Sequence, residues 1–229
     1  MRQINQRGIA IGPILYIVAI LAVLVSAIAA GSGAFNGDIS AVSAKVQATT
    51  ILEQANEVKF AVDRLIAKGC TDTEISFENP VVGDYINPNS PSDKSCHVFD
   101  VNGGGIIYKK PIIGDLCFSG FLTFYGIGKT CQSDSSCPDL SFTLKGIEDK
   151  VCAEINYIIH GNPTIPEHEA WAFIPVPINY FKGSYFGGWT ADYTLHYPSL
   201  SFISGKEMGC FRMSWTPDQN MMFRILIAR

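Results

Sequence analysis

Residues Ile9 to Ala30 read IAIGPILYIVAILAVLVSAIAA, twenty-two apolar or small residues without a single charge. No charge follows until Asp38, and two arginines, Arg2 and Arg7, stand just before the run. As a helix the segment would be ~33 Å long at ~1.5 Å per residue, enough for a hydrocarbon core of ~30 Å. Positive charge confined to the short N-terminal side keeps residues 1–8 in the cytoplasm and sends the rest outward. The stretch therefore predicts a single transmembrane helix at 9–30 carrying an extracytoplasmic domain.

Outward from this helix, Gly31-Ser32-Gly33 closes or bends it, since glycines weaken helix and permit kinks. Asp38 or Ser40 can cap a second helix that runs to about Lys68, with Gly69 as its stop. Ile51, Ala55, Val58, Val62 and Leu65 recur at steps of four and three, with Leu52 and Ile66 widening the stripe. Hinge and amphipathic helix occupy 31–69, and a head of 70–229 follows. Residues 71–105 are loop-rich, punctuated by Asn87-Pro88-Asn89-Ser90-Pro91 and Gly103-Gly104-Gly105. Strands are expected at Gly105–Lys109, Cys117–Tyr125 and Leu140–Leu144. A short helix is expected from Glu148 to His160, with Val151, Ile155, Ile158 and Ile159 on one face and Gly161 closing it.

The chain ends in a predicted antiparallel hairpin. Phe211, Met213 and Trp215 alternate with Cys210 and Arg212; a turn at 216–220 follows, and then Phe223, Ile225 and Ile227 alternate with Arg224. The fold class is α+β: a long hydrophobic then amphipathic N-terminal helical spine, followed by a disulfide-stapled antiparallel β-sheet head.

Without Arg2 and Arg7 the exported part has 15 basic against 21 acidic residues, a net charge of −6. Such a surface is a poor match for phosphate backbones, so nucleic acid is not an expected partner. Seven cysteines, at 70, 96, 117, 131, 137, 152 and 210, all lie beyond the membrane segment, and none forms a C-x-x-C pair. Zinc-ribbon spacing is absent, and an oxidising compartment favours disulfides. Cys131–Cys137 closes the small polar loop QSDSS. Six cysteines allow fifteen connectivities; Cys70–Cys96 and Cys152–Cys210 are the working pairs, which leaves Cys117. That residue sits in the apolar run LCFSGFLTF and reads as a buried, inert thiol.

Three leaders fit residues 1–30. A plain anchor fits the length. A cleaved secretory signal has a shorter apolar core, although Ala27, Ala29 and Ala30 provide an A-x-A-like exit. The third rests on the order of parts: basic leader, Gly8, apolar helix, amphipathic helix, cysteine-bearing domain. Over residues 1–70 that order resembles the type IV pilin and pseudopilin class. The resemblance implies prepilin peptidase cleavage between Gly8 and Ile9 and assembly with like subunits through the N-terminal helix. It also implies an inner-membrane assembly machine, a lipid bilayer around the anchor, and a head that is periplasmic, or extracellular after assembly. The family pattern has a glutamate at the fifth mature position, where Pro13 stands here. Some minor pseudopilins lack that glutamate, so the departure points to a minor or divergent pilin; Gly12-Pro13 also suits a helix start.

No catalytic pattern emerges, and no cofactor or enzymatic activity is expected. The four histidines are scattered, with no H-E-x-x-H and no G-x-S-x-G. Glu167-His168-Glu169 reads as exposed loop charge. Asp100 and Asn102 are a weak calcium candidate, lacking the third carboxylate and the distal glutamate of an EF-hand. Nine aromatic residues crowd Trp171–Tyr197, among them Trp171, Tyr185 and Trp189. They read first as local packing and second as a recognition surface. The alternative function is therefore a membrane-tethered periplasmic binding module that uses 171–197 and does not polymerise.

Overall fold

The computed structural model describes residues 40–120, 123–124, 127, 138–168, 180–185, 194–195, 205–213 and 220–229. The expected anchor at 9–30, the Gly8–Ile9 junction, Cys131, Cys137, Trp171 and Trp189 lie outside these residues. Among the described residues no helix is long and apolar enough to cross a membrane. Ala44–Arg229 forms one compact unit, so the amphipathic helix from Ala44 onward belongs to the head.

Helix α1 spans 40–67. Its stripe is spent on the core: Ala48, Ile51, Ala55, Val58, Val62 and Leu65 are all within 2% of full burial. Each large aliphatic side chain so buried contributes about 1.5–3 kcal/mol. Ile66 does not widen the stripe as expected and stays 42% exposed, because Leu65 already points inward and its neighbour is rotated ~100° away. The helix ends where the sequence places its stop. Gly69 adopts φ 100°, its N–H bonds to the Ile66 carbonyl, and the Cys70 N–H reaches back to the Leu65 carbonyl. This crossed pair satisfies carbonyls that the helix end leaves over, and it needs a left-handed residue at position 69.

Strands β1 (Asp115–Ser119), β3 (Leu140–Ile147), β6 (Met208–Met213) and β7 (Asn220–Ile227) form an antiparallel sheet in the order β1-β3-β7-β6. The two-residue β4 (Glu167–His168) adds to β6 in parallel. A separate parallel pair joins β2 (Thr123–Phe124) to β5 (Thr194–Leu195). The strand expected over Cys117–Tyr125 is therefore two short pieces, and that expected at Leu140–Leu144 runs on to Ile147. The hairpin strands pair as the alternation requires, Met208 opposite Arg224 and Arg212 opposite Asn220.

Alternation sorts the sheet into two apolar faces. Phe118, Phe142, Leu144, Met222 and Leu226 share one cluster with α1 and with helix α2 (Asp149–His160). Cys117, Phe211, Met213, Met221, Phe223 and Ile225 form the other. The face α2 buries differs from the expected one: Val151, Cys152, Ile155 and Asn156 are buried, while Ile158 is 40% exposed. Residue 210 explains the rotation. Cys152 is disulfide-bonded to Cys210, and one turn later the Asn156 amide hydrogen-bonds both backbone groups of Cys210.

The segment 71–105 is stapled by Cys70–Cys96 and held by a parallel bridge between Ser76 and His97. Asn87 donates to the carbonyls of Thr73 and Ile75, so a side-chain amide replaces ladder bonds. Gly103 and Gly104 lie directly on the backbone of His97 and Val98; a Cβ would sit 2.1 Å from the His97 carbonyl at Gly103 and 2.3 Å from that of Val98 at Gly104. The glycine run is thus a close approach between two chain segments.

One expected strand is missing. Gly105–Lys109 has no strand partner among the described residues and forms no regular structure.

Candidate interaction surface

The face of α1 opposite its buried stripe carries Val42, Val46 and Phe60, which are 61%, 56% and 73% exposed. At 3.6 residues per turn the three fall within about 40° of one another, with Glu53 on the same bearing between Val46 and Phe60, which lie ~21 Å apart along the axis. Sequence reasoning named the inward stripe and missed these side chains. The signal was present, since each of the three is an apolar residue off the stripe.

Alongside α1 runs the segment that did not become a strand. The Lys68 ammonium donates to the carbonyls of Asn102 and Gly103. The Arg64 guanidinium lies over Gly105. Gln54 donates to the Lys109 carbonyl at 2.6 Å, and the Lys109 ammonium meets the Glu57 carboxylate at 2.8 Å. Contacts that move back along α1 as the chain moves forward define a strap antiparallel to the helix. Eleven helix residues from Lys68 to Glu57 rise ~16 Å, and six residues from Gly103 to Lys109 span ~20 Å when fully extended, so the strap is close to extended. Its exposure alternates accordingly: Ile106 and Tyr108 are half-buried against the core, while Ile107 is 80% exposed and Lys109 is also exposed.

Between the outer face of α1 and the end of the strap lies a groove of about 510 Å³. Thr50, Glu53, Gln54, Glu57 and Phe60 line it from the helix, and Lys109, Lys110 and Ile112 from the strap. Its chemistry is mixed, two carboxylates and two ammonium groups around Phe60 and Ile112. It suits contact with another chain better than capture of a small apolar molecule.

The other candidates occupy different places. Asp100 shapes a turn: its carboxylate accepts the Asn102 N–H at 3.0 Å, and its carbonyl accepts from Gly103 and Gly105. The neighbouring carbonyls of Asn102 and Gly103 carry the Lys68 ammonium, so a cation within this loop competes with a lysine already there. Among the described residues no three His, Cys, Asp or Glu side chains converge as a metal site. His97 is nearly buried 3.9 Å from Glu78, and its burial pulls the imidazole below its ordinary value. Cys117 is unpaired and buried, and burial pushes its thiol up to about 12, so it stays protonated and unreactive at neutral pH.

Of the aromatic stretch, Tyr180, Phe181 and Tyr185 are described, and all three pack. Phe181 is 1% exposed and bonds the Phe118 carbonyl through its N–H, Tyr180 stacks on Tyr85 at 4.4 Å, and the Arg229 guanidinium covers the Tyr185 ring at 3.8 Å. Glu167 and His168 form the short edge strand β4, where Glu167 lies 3.6 Å from Arg212.

No protein-family model matches the chain, and neither a curated protein nor a solved structure is similar to it.

Proposed function

We propose that the chain is a membrane-anchored structural subunit, a minor or divergent member of the pilin and pseudopilin class, that assembles with like subunits through its N-terminal helix. One observation carries this reading. Helix α1 gives one face to its own head and leaves three large apolar side chains, Val42, Val46 and Phe60, exposed among the polar residues of the opposite face. A helix that only propped up its own domain gains nothing from exposing these three. Burying them against a neighbouring helix contributes about 1–2 kcal/mol per side chain. The run Ile9–Ala30 supplies the expected anchor, and the Cys70–Cys96 and Cys152–Cys210 disulfides stiffen the head against mechanical load.

Two measurements test the reading. The mass of the mature N-terminus is expected to begin at Ile9; an intact Met1 or a start after Ala30 counts against it. Cysteine substitutions along Ala10–Leu24 are expected to yield ladders of intermolecular crosslinks, which a solitary anchor does not give. Phe60→Glu is expected to abolish the ladders while leaving the melting temperature of the head unchanged.

A further inference from the structure

The strap 105–109 has the sequence of a strand and runs close to extended, yet among the described residues it has no strand neighbour. The Lys109 carbonyl is turned toward α1, where Gln54 meets it. Backbone groups of successive residues in an extended chain point to opposite edges, so those of Ile106 and Tyr108 face away from the helix. Neither residue has a backbone hydrogen bond among the described residues. Pro111 closes the stretch, and because it follows Lys110 it holds that residue in the extended region as well. The geometry is that of an edge strand whose outer groups have no ladder partner among the described residues, a template for pairing.

From this geometry we infer that the strap accepts an extended segment of a partner protein as an added strand, bonded through the N–H and C=O groups of Ile106 and Tyr108. The chemistry of the partner follows from the side chains around that edge. Ile107, 80% exposed, calls for an apolar residue on the same face of the incoming strand. Lys110 forms no ion pair among the described residues, in contrast to Lys109, which is held by Glu57. Arg64, over Gly105 at the other end of the strap, likewise has no carboxylate partner among the described residues. The incoming strand therefore carries carboxylates at its ends. A second copy of the strap is the wrong occupant, since it brings the same two cations to the same edge. Phe60 and the end of the strap line one groove, but this inference rests on the backbone of 106–108 and its readout is peptide binding, so it fails separately from the filament reading.

The test pans a phage library of random dodecapeptides against the full chain in lipid nanodiscs. Enriched peptides are expected to carry an apolar residue with at least one flanking Asp or Glu. A synthetic copy of the winner should slow deuterium exchange across 104–110 and nowhere else in the head. Methylating alternate backbone nitrogens of that peptide should weaken its binding at least about tenfold, because strand addition rests on main-chain bonds. Lys110→Glu should weaken it by a similar factor and should favour a version of the peptide with Lys in place of its carboxylates. No enrichment, binding that tolerates N-methylation, protection away from 104–110, or self-association of the chain through the strap each overturns the inference.

Discussion

Replacing Asn156 by alanine tests how the head is held together. Asn156 is fully buried on α2, and its side chain makes three hydrogen bonds: to the Thr164 carbonyl at 2.8 Å, to the Cys210 carbonyl at 2.8 Å, and from the Cys210 N–H at 2.9 Å. Thr164 is exposed, so water can replace the amide there. Cys210 is fully buried in β6, so its N–H and carbonyl would both lose their partners. Leaving a buried polar group unpaired costs roughly 1–3 kcal/mol, so two such groups and a small cavity give a loss of about 3–5 kcal/mol. Urea unfolding of the full chain in detergent, followed by intrinsic fluorescence, should show the midpoint falling by about 1–2 M at unchanged slope. Asn156→Asp sharpens the test. A carboxylate faces two carbonyls there, so its folded-state pKa is raised, and its penalty should be largest at neutral pH and shrink as pH falls through that value. A loss below about 1 kcal/mol for Asn156→Ala, or an Asn156→Asp penalty that grows toward acid, would refute the reasoning.

Gly104→Ala should destabilise by at least about 2 kcal/mol, because its Cβ meets the Val98 backbone, which cannot rotate away as a side chain can; a thermal melt reads the loss. Replacing both Cys70 and Cys96 by serine releases a loop spanning 26 positions and should cost about 3 kcal/mol, read as faster proteolysis within 71–95. Cys117 should resist iodoacetamide at pH 8 in the native chain and react only on unfolding, so mass-detected labelling reports the opening rate of the sheet. Hydrogen bonds from Asn220, then from Arg212, hold the Asp149 carboxyl below its ordinary value. Its contribution to stability is present above the usual carboxylate range and disappears as pH falls through the lowered value. Asp149→Asn should flatten the pH dependence of the melting temperature in that acid window.

Much of the head was legible because short-range patterns and long-range packing agree there. The inward stripe of α1, its stop at Gly69 and the alternation in β6 and β7 each need only local periodicity. The pairs Cys70–Cys96 and Cys152–Cys210 coincide with the working choice among many connectivities. The central pairing of β3 with β7 was not legible, since Leu140 and Ile227 are far apart in sequence and no turn links their strands. Nor was the face of α2. Its aliphatic residues favour Ile158 and Ile159, and only the location of Cys210 explains why Asn156 is buried in preference to Ile158. In the surface, Phe60 and Lys110 escaped notice because each is ordinary alone and acquires meaning from what lies beside it.

The strap is where local preference and fold disagree. Ile106-Ile107-Tyr108 is β-branched and aromatic, a composition that favours strand, yet the sheet excludes it and holds it against a helix. A connector with no other role would be expected to carry Gly, Ser or Asn where Ile107 and Ile112 stand, since exposing each isoleucine forgoes about 1–2 kcal/mol of burial. Places where every level but one is consistent tend to be functional. The outer face of α1 disagrees in part, with Val42, Val46 and Phe60 exposed among its polar residues. Both features border the groove containing Phe60 and Ile112, yet they ask for different partners: a helix packs on side chains, whereas a strand pairs with backbone. The two demands can therefore be separated by paired variants. Phe60→Glu should break intermolecular crosslinking and spare peptide binding, and Lys110→Glu should do the reverse. If either variant removed both activities, the groove would be a single surface with one partner, and one of the two assignments would have to be withdrawn.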